Sequence, residues 1–326
     1  MALLINVIIL LIFLLILSKA SHMTITNAIR TSEITGLGKM TIGFVLIAFS
    51  TSLPEFCVAI ITAFTDESAI SIGNVIGSNI VNICLIIGLA ALLVALMGRS
   101  RAVNMVPTMV KEEFGSLYFG LFVASIIPLS LVYLAYASWF IGMILLLVFV
   151  LYTYQLSKIR IPTEKGEGIP EGERRKLRSY VALTFAGVAG VIISSYFIVD
   201  SAVKIAEFAG VPKALISATI IAFGTSLPEF SVDINAFLKG HSALALGDIV
   251  GSCFINITLI LGVTLVASPL EVNMIVFSDL VIFSLIANLF LWYFLTIGRI
   301  SWREGAILLF VYLLFLATTL GAIQLH

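Results

Sequence analysis

Glu55 and Glu229 each end the same five-residue string, Thr-Ser-Leu-Pro-Glu, within "AFSTSLPEF" at 48–56 and "AFGTSLPEF" at 222–230. Both strings lie inside apolar runs long enough to cross a bilayer. A carboxylate at that depth is costly, so it faces the protein interior and carries a partner. No Lys, Arg or His stands at matching depth in either run, which makes a cation from solution the expected counter-charge. The prolines act at the same place. Pro54 has no N–H, so the Ser50 carbonyl four residues earlier loses its helical partner, and Pro228 does the same to Gly224. Carbonyls freed in this way are tolerated in a membrane only where protein, a water-filled cavity or a bound cation satisfies them.

The next apolar run in each case supplies further oxygens. "GNVIGSNIVN" (73–82) and "GDIVGSCFIN" (247–256) carry Ser78, Asn82, Ser252 and Asn256. With both carboxylates and the freed carbonyls near Thr51 and Thr225, these residues make an all-oxygen ligand set. Ca²⁺ takes about six to eight oxygens in flexible geometry at roughly 2.3–2.6 Å, and the inventory suits it better than Mg²⁺, which holds its water tightly. Gly73 and Gly77, and likewise Gly247 and Gly251, have the small-xxx-small spacing that lets helix backbones approach closely, here against the breaks at the prolines. Asp233 and Asp248 have no acidic counterpart in the first string, where Ala59 and Asn74 align. With Ser52 and Ser226 they are candidates for an ion pathway. For Asp233 a surface carboxylate paired with Lys239 is an equal alternative, and for Asp248 a hydrogen bond within the core is favoured.

These residues are positioned by a duplication. A shift of 174 residues aligns Thr51–Leu89 with Thr225–Val263 without a gap, and 18 of the 39 positions are identical. The whole chain is 60% hydrophobic and only 11% charged, with a mean hydropathy of +1.16, far from the roughly one-quarter charged composition of soluble domains. Ten apolar runs are expected to span the membrane, near 2–18, 40–63, 70–97, 115–136, 138–157, 179–200, 214–237, 243–267, 273–297 and 304–323. The fold class is therefore an all-α polytopic membrane protein. The first run follows Met1 without a basic leader and reads as a retained span.

The basic segment 158–178 divides the chain into halves of five spans, 1–157 and 179–326, with the repeated motifs at 48–89 and 222–263. The positive-inside rule places this segment in the cytoplasm. Alternation then puts 16 of the 18 Lys and Arg on that side and both termini outside, in what is expected to be the cell membrane. An odd number of spans separates the repeats, so the second enters the membrane in the opposite sense. Such inverted repeats, with broken helices in spans 2 and 7, are a transporter architecture.

Two copies of (G/S)TSLPE, each followed by G(N/D)xxGS and an Asn, resemble the paired repeats of the cation/calcium antiporter superfamily, in its sodium/calcium exchanger branch. The resemblance implies a secondary antiporter that exchanges three Na⁺ for one Ca²⁺ by alternating access. It implies that Glu55 and Glu229, with the carbonyls of Thr51 and Thr225, coordinate Ca²⁺. Ser78 and Ser252 would serve flanking Na⁺ sites, and Asn82 and Asn256 would complete the cluster. Potassium-dependent relatives carry Asp where Asn256 stands, which argues against K⁺ dependence. The proton-coupled branch resembles GNxxE where Gly77-Ser78 and Gly251-Ser252 stand. H⁺-coupled or K⁺-dependent divalent exchange is the alternative within the class, and a cation channel the alternative outside it.

Other classes are disfavoured. The sequence shows no membrane-depth catalytic His, no HExxH, and no Ser/Lys or paired-Asp constellation of a recognisable kind, so no enzyme is expected. Zero net charge predicts no nucleic-acid partner. Cys57, Cys84 and Cys253 read as packing residues. Ca²⁺ and Na⁺ are expected as substrates, with no cofactor, no obligate protein partner, and the lipid bilayer as surroundings.

Overall fold

The computed structural model describes residues 2–36, 39–64, 68–97, 102–104, 111–156, 175–208, 222–267 and 272–324. Among them are eight helical segments long and apolar enough to cross a membrane. Helix α1 is Ala2–Thr35. The next segment is described in pieces: α2 (Lys39–Ile42), a π-helical stretch Gly43–Ile47, α3 (Ala48–Thr51) and α4 (Leu53–Phe64). Helix α5 (Ser68–Ile80) runs through a second π stretch, Val81–Ile87, into α6 (Gly88–Leu96). Helices α7 (Lys111–Leu134) and α8 (Trp139–Leu156) complete the first half. The second half holds α9 (Leu177–Phe208), α10 (Ala222–Thr225) and α11 (Leu227–Leu238). Helix α12 (Ser242–Ile255) follows, continuing through the π stretch Asn256–Ile260 into α13 (Leu261–Ala267). Helices α14 (Ser278–Ile297) and α15 (Trp302–Gln324) end the chain.

The span expected at 214–237 is described only from residue 222 onward, and most of the basic segment 158–178 lies outside the described residues. Helix α1 runs well past the expected end at residue 18. Its second part is rich in Ser, Thr and Asn, which depresses hydropathy. Yet Thr24, Asn27 and Thr31 donate to the carbonyls of Ala20, Met23 and Asn27, four residues back, so their polar groups are paired within the helix.

Burial sorts the helices into an inner and an outer layer. In the apolar 18-residue stretch of each segment, 67% of residues are buried for Ser71–Leu96 and 83% for Ser242–Ala267, against 17% for Trp139–Leu156 and 18% for Leu4–Thr35. The two inner segments are those that carry G(N/D)xxGS. The outer helices turn large apolar side chains outward, including Leu15 on α1, Leu147 and Val150 on α8, and Phe310 and Leu313 on α15. These surfaces suit lipid contact.

The two inner segments do not pack alike. A Cβ added at Gly251 on α12 would stand 2.8 Å from both the Ala48 Cβ and the Phe44 Cα, and one at Gly43 would strike the Leu244 carbonyl and come within 2.9 Å of the Asp248 amide. Glycine at both positions is what lets the stretch before Thr51 lie directly on α12. A Cβ at Gly77 on α5 meets nothing within 4 Å. The close approach expected for both glycine pairs is therefore found at Gly251 and not at Gly77.

Four short strands depart from an all-helical class. β1 (Ala102–Asn104) pairs antiparallel with β4 (Arg299–Ser301), and β2 (Tyr136–Ala137) with β3 (Val272–Asn273). Each ladder ties a loop of the first half to a loop of the second, giving backbone groups between the helices hydrogen-bond partners.

Candidate ion-binding site

Ser52 (φ −78°, ψ 8°) and Ser226 (φ −89°, ψ 9°) each separate a short helix from a longer one that starts at the following leucine. Pro54 and Pro228 are the second residues of α4 and α11, where an N–H has no helical partner to lose. Glu55 and Glu229 fall in the first turn, where the helix dipole favours negative charge. Each carboxylate also takes a bond from its own backbone N–H. The repeated Pro-Glu thus starts a helix and sets an anion on its positive end.

The two copies meet through crossed contacts. The Ser52 hydroxyl donates to Glu229 Oε1 at 3.2 Å, and the Ser226 hydroxyl to Glu55 Oε1 at 3.3 Å. Ser52 is 3.1 Å from the Ser252 hydroxyl, and Ser226 is 3.2 Å from the Ser78 hydroxyl. Thr51 donates to Asp248 Oδ1 and Thr225 to Asn74 Oδ1, both at 3.3 Å. Every one of these pairs has its counterpart 174 residues away. Ser78 adds a further bond to Glu55 Oε1 at 3.3 Å.

Four side-chain oxygens of the expected ligand set take no hydrogen bond among the described residues: Glu55 Oε2, Glu229 Oε2, Asn82 Oδ1 and Asn256 Oδ1. Their residues are each 1% exposed. Buried acceptors left in this state cost free energy unless something binds them. Neither glutamate makes an ion pair among the described residues. No group of three or more His, Cys, Asp or Glu side chains converges on a metal position there either. The donor set is two carboxylates supplemented by amide and hydroxyl oxygens, which is ligand chemistry for a hard cation.

Asn79 was not singled out by the duplication, because Cys253 occupies its counterpart position. It is fully buried, and its Oδ1 accepts from Asn256 Nδ2 at 2.9 Å, which turns Asn256 Oδ1 away as a free acceptor. Asn74 likewise emerges as the acceptor for Thr225. Asp233 is fully buried, not at a surface, and Lys239 is not its partner: the Lys239 ammonium meets His22 Nδ1 at 2.5 Å. Of the cysteines, Cys84 and Cys253 are free and buried, and the Cys57 side chain lies outside the described residues.

The sequence profile of a family described as sodium/calcium exchanger protein matches residues 5–158 and 179–321. The chain belongs to this family. Among its exchanger-family relatives, the sodium/calcium exchanger MaX1 of Methanosarcina acetivorans is 29% identical over 96% of this chain and 97% of its own length. The putative antiporter CaxA of Alkalimonas amylolytica is 34% identical over 72% of each. A solved structure of the sodium-calcium exchanger NCX_Mj, soaked with Na⁺ and Sr²⁺, has a TM-score of 0.80 at 25% identity. It covers 97% of this chain and 99% of that one. The two blocks of the family match contain both TSLPE motifs and both G(N/D)xxGS motifs of this exchanger-family chain.

Proposed function

We propose that the protein is a secondary antiporter that exchanges Na⁺ for Ca²⁺ at a site between Glu55 and Glu229, which the ions occupy in turn. The observation that carries this reading is the crossed Ser–Glu pairing. It links the carboxylate of each copy to a serine of the other, and one oxygen of each carboxylate, like the Asn82 and Asn256 amide oxygens, has no hydrogen-bond partner among the described residues, which supports a shared ligand set. The carbonyls of Thr51 and Thr225 and the hydroxyls of Ser78 and Ser252 complete the proposed ligand set. The exchanger relatives support the same pair of substrates.

Three Na⁺ against one Ca²⁺ moves one net charge per cycle, so transport is electrogenic in this reading. The halves 1–157 and 179–326 act as inverted units about the site, joined by the basic segment 158–178 on the cytoplasmic side of the cell membrane. The family match also falls in two blocks on either side of that segment. Ca²⁺ uptake into proteoliposomes, driven in turn by outward Na⁺, K⁺ and H⁺ gradients, tests the proposal. Uptake is expected with Na⁺ alone and is expected to rise severalfold at an inside-positive potential, since about 2.3 kcal/mol acts per elementary charge per 100 mV. Uptake driven by H⁺ or dependent on K⁺ would assign a different coupling ion, and voltage-insensitive uptake a different ratio.

A further inference from the structure

Asp233 and Asp248 are both fully buried, and neither has an acidic counterpart in the first half. The Asp233 carboxyl lies within hydrogen-bonding reach of that of Asp248. Both oxygens of Asp233 and Oδ2 of Asp248 lack any donor among the described residues. Two carboxylates so placed repel each other unless a shared proton or a metal cation stands between them. The Lys239 ammonium does not serve, because it meets His22.

The first half shows what packing alone requires. Asn74 and Asp248 occupy corresponding positions, and each accepts one bond from a threonine hydroxyl at 3.3 Å. An amide oxygen suffices for that bond, so the charge of Asp248 is additional to it. Ala59 fills the position of Asp233 and is also fully buried, so no polar group is required there either. Both charges are thus unexplained by the architecture they share with the first half, and they face one another.

We propose that Asp233 and Asp248 hold one monovalent cation at a separate site, about one helical turn along α11 from Glu229. Three unpaired carboxylate oxygens are available, with the Ser252 hydroxyl bonded to Asp248 close by. Both aspartates are within electrostatic reach of Glu229, so occupancy here is coupled to occupancy of the central site. A second divalent ion so near one at Glu229 would meet twice the repulsion that a monovalent ion meets. The naming of Na⁺ as this cation rests on the exchange reading above; the juxtaposition of two buried carboxyls with three unpartnered oxygens does not.

The test is equilibrium ²²Na⁺ and ⁴⁵Ca²⁺ binding to the purified full chain and to Asp233→Ala and Asp248→Asn, the residues found at the corresponding first-half positions. Each variant is expected to bind about one Na⁺ fewer per chain while still binding Ca²⁺, and the Hill coefficient for Na⁺-driven Ca²⁺ release falls by about one. Unchanged Na⁺ stoichiometry in either folded variant overturns the proposal. So does a changed pH dependence at constant Na⁺ count, which would assign the pair a proton instead. The substitutions lie on different helices, so failure of one variant to fold leaves the other to decide. Absence of Ca²⁺ binding by the unmutated protein would instead count against the central site, independently of the Na⁺ count.

Discussion

Asn256 sets the charge of the proposed site. Its amide donates to Asn79 at 2.9 Å while its own oxygen takes no hydrogen bond among the described residues, and the same holds for the equivalent Asn82 oxygen from the other half. Asn256→Asp replaces that donor by a third carboxylate beside Glu55 and Glu229. Asn79 can turn to compensate, since its own Nδ2 has no partner. The excess negative charge then recruits a proton or another monovalent cation together with Ca²⁺. Ca²⁺ flux measured with and without K⁺ across a pH series is expected to be K⁺-independent in the unmutated protein. In the variant it is expected to become K⁺-responsive or more steeply pH-dependent near neutrality. At this scale the glutamates were legible because a carboxylate in an apolar run has no inexpensive alternative, and because it recurs. Asn79 was not, since its counterpart is Cys253 and the duplication gives it no weight. Asp233 was half legible. Periodicity gave its face, but not that a second buried carboxylate, Asp248, lies opposite.

The break-and-restart at Ser52 and Ser226 and the glycine contacts of α12 decide how the elements bring the site together. Gly251 has no room for a side chain against Phe44 and Ala48, whereas Gly77 has open space. Overpacking a close contact costs about 1–3 kcal/mol, while replacing glycine by alanine inside a helix gains up to roughly 1 kcal/mol. Thermal unfolding in detergent is therefore expected to show Gly251→Ala clearly destabilised and Gly77→Ala unchanged or stabilised. Equal losses at both glycines would remove the asymmetry. Element lengths were legible where hydropathy was uninterrupted, as for α8, expected at 138–157 and found at Trp139–Leu156. They were not where buried Ser, Thr and Asn side chains bond back along their own helix, as in α1. The strands were invisible because two or three residues carry no periodic signal, and their pairing is set by which loops the bundle brings together.

For the whole molecule, the strand ladders and the crossed hydrogen bonds support one arrangement. β1 and β4 follow the third and ninth spans in the expected numbering, and β2 and β3 follow the fourth and eighth. Each pair therefore joins loops expected on the same side of the membrane. The duplication made the crossed hydrogen-bond pairs readable, because each has its counterpart 174 residues away. It could not supply the differences between the halves, such as the Asp233–Asp248 pair or the open space at Gly77, since those arise from residues that the copies do not share. The central claim is that each half contributes one carboxylate to a single ion site. The most direct test is Na⁺-gradient-driven ⁴⁵Ca²⁺ uptake into proteoliposomes by Glu55→Gln and Glu229→Gln, each shown to be folded and inserted. Both variants are expected to lose nearly all uptake, and to similar extents; uptake near the unmutated rate in either one would contradict a site shared between the two halves.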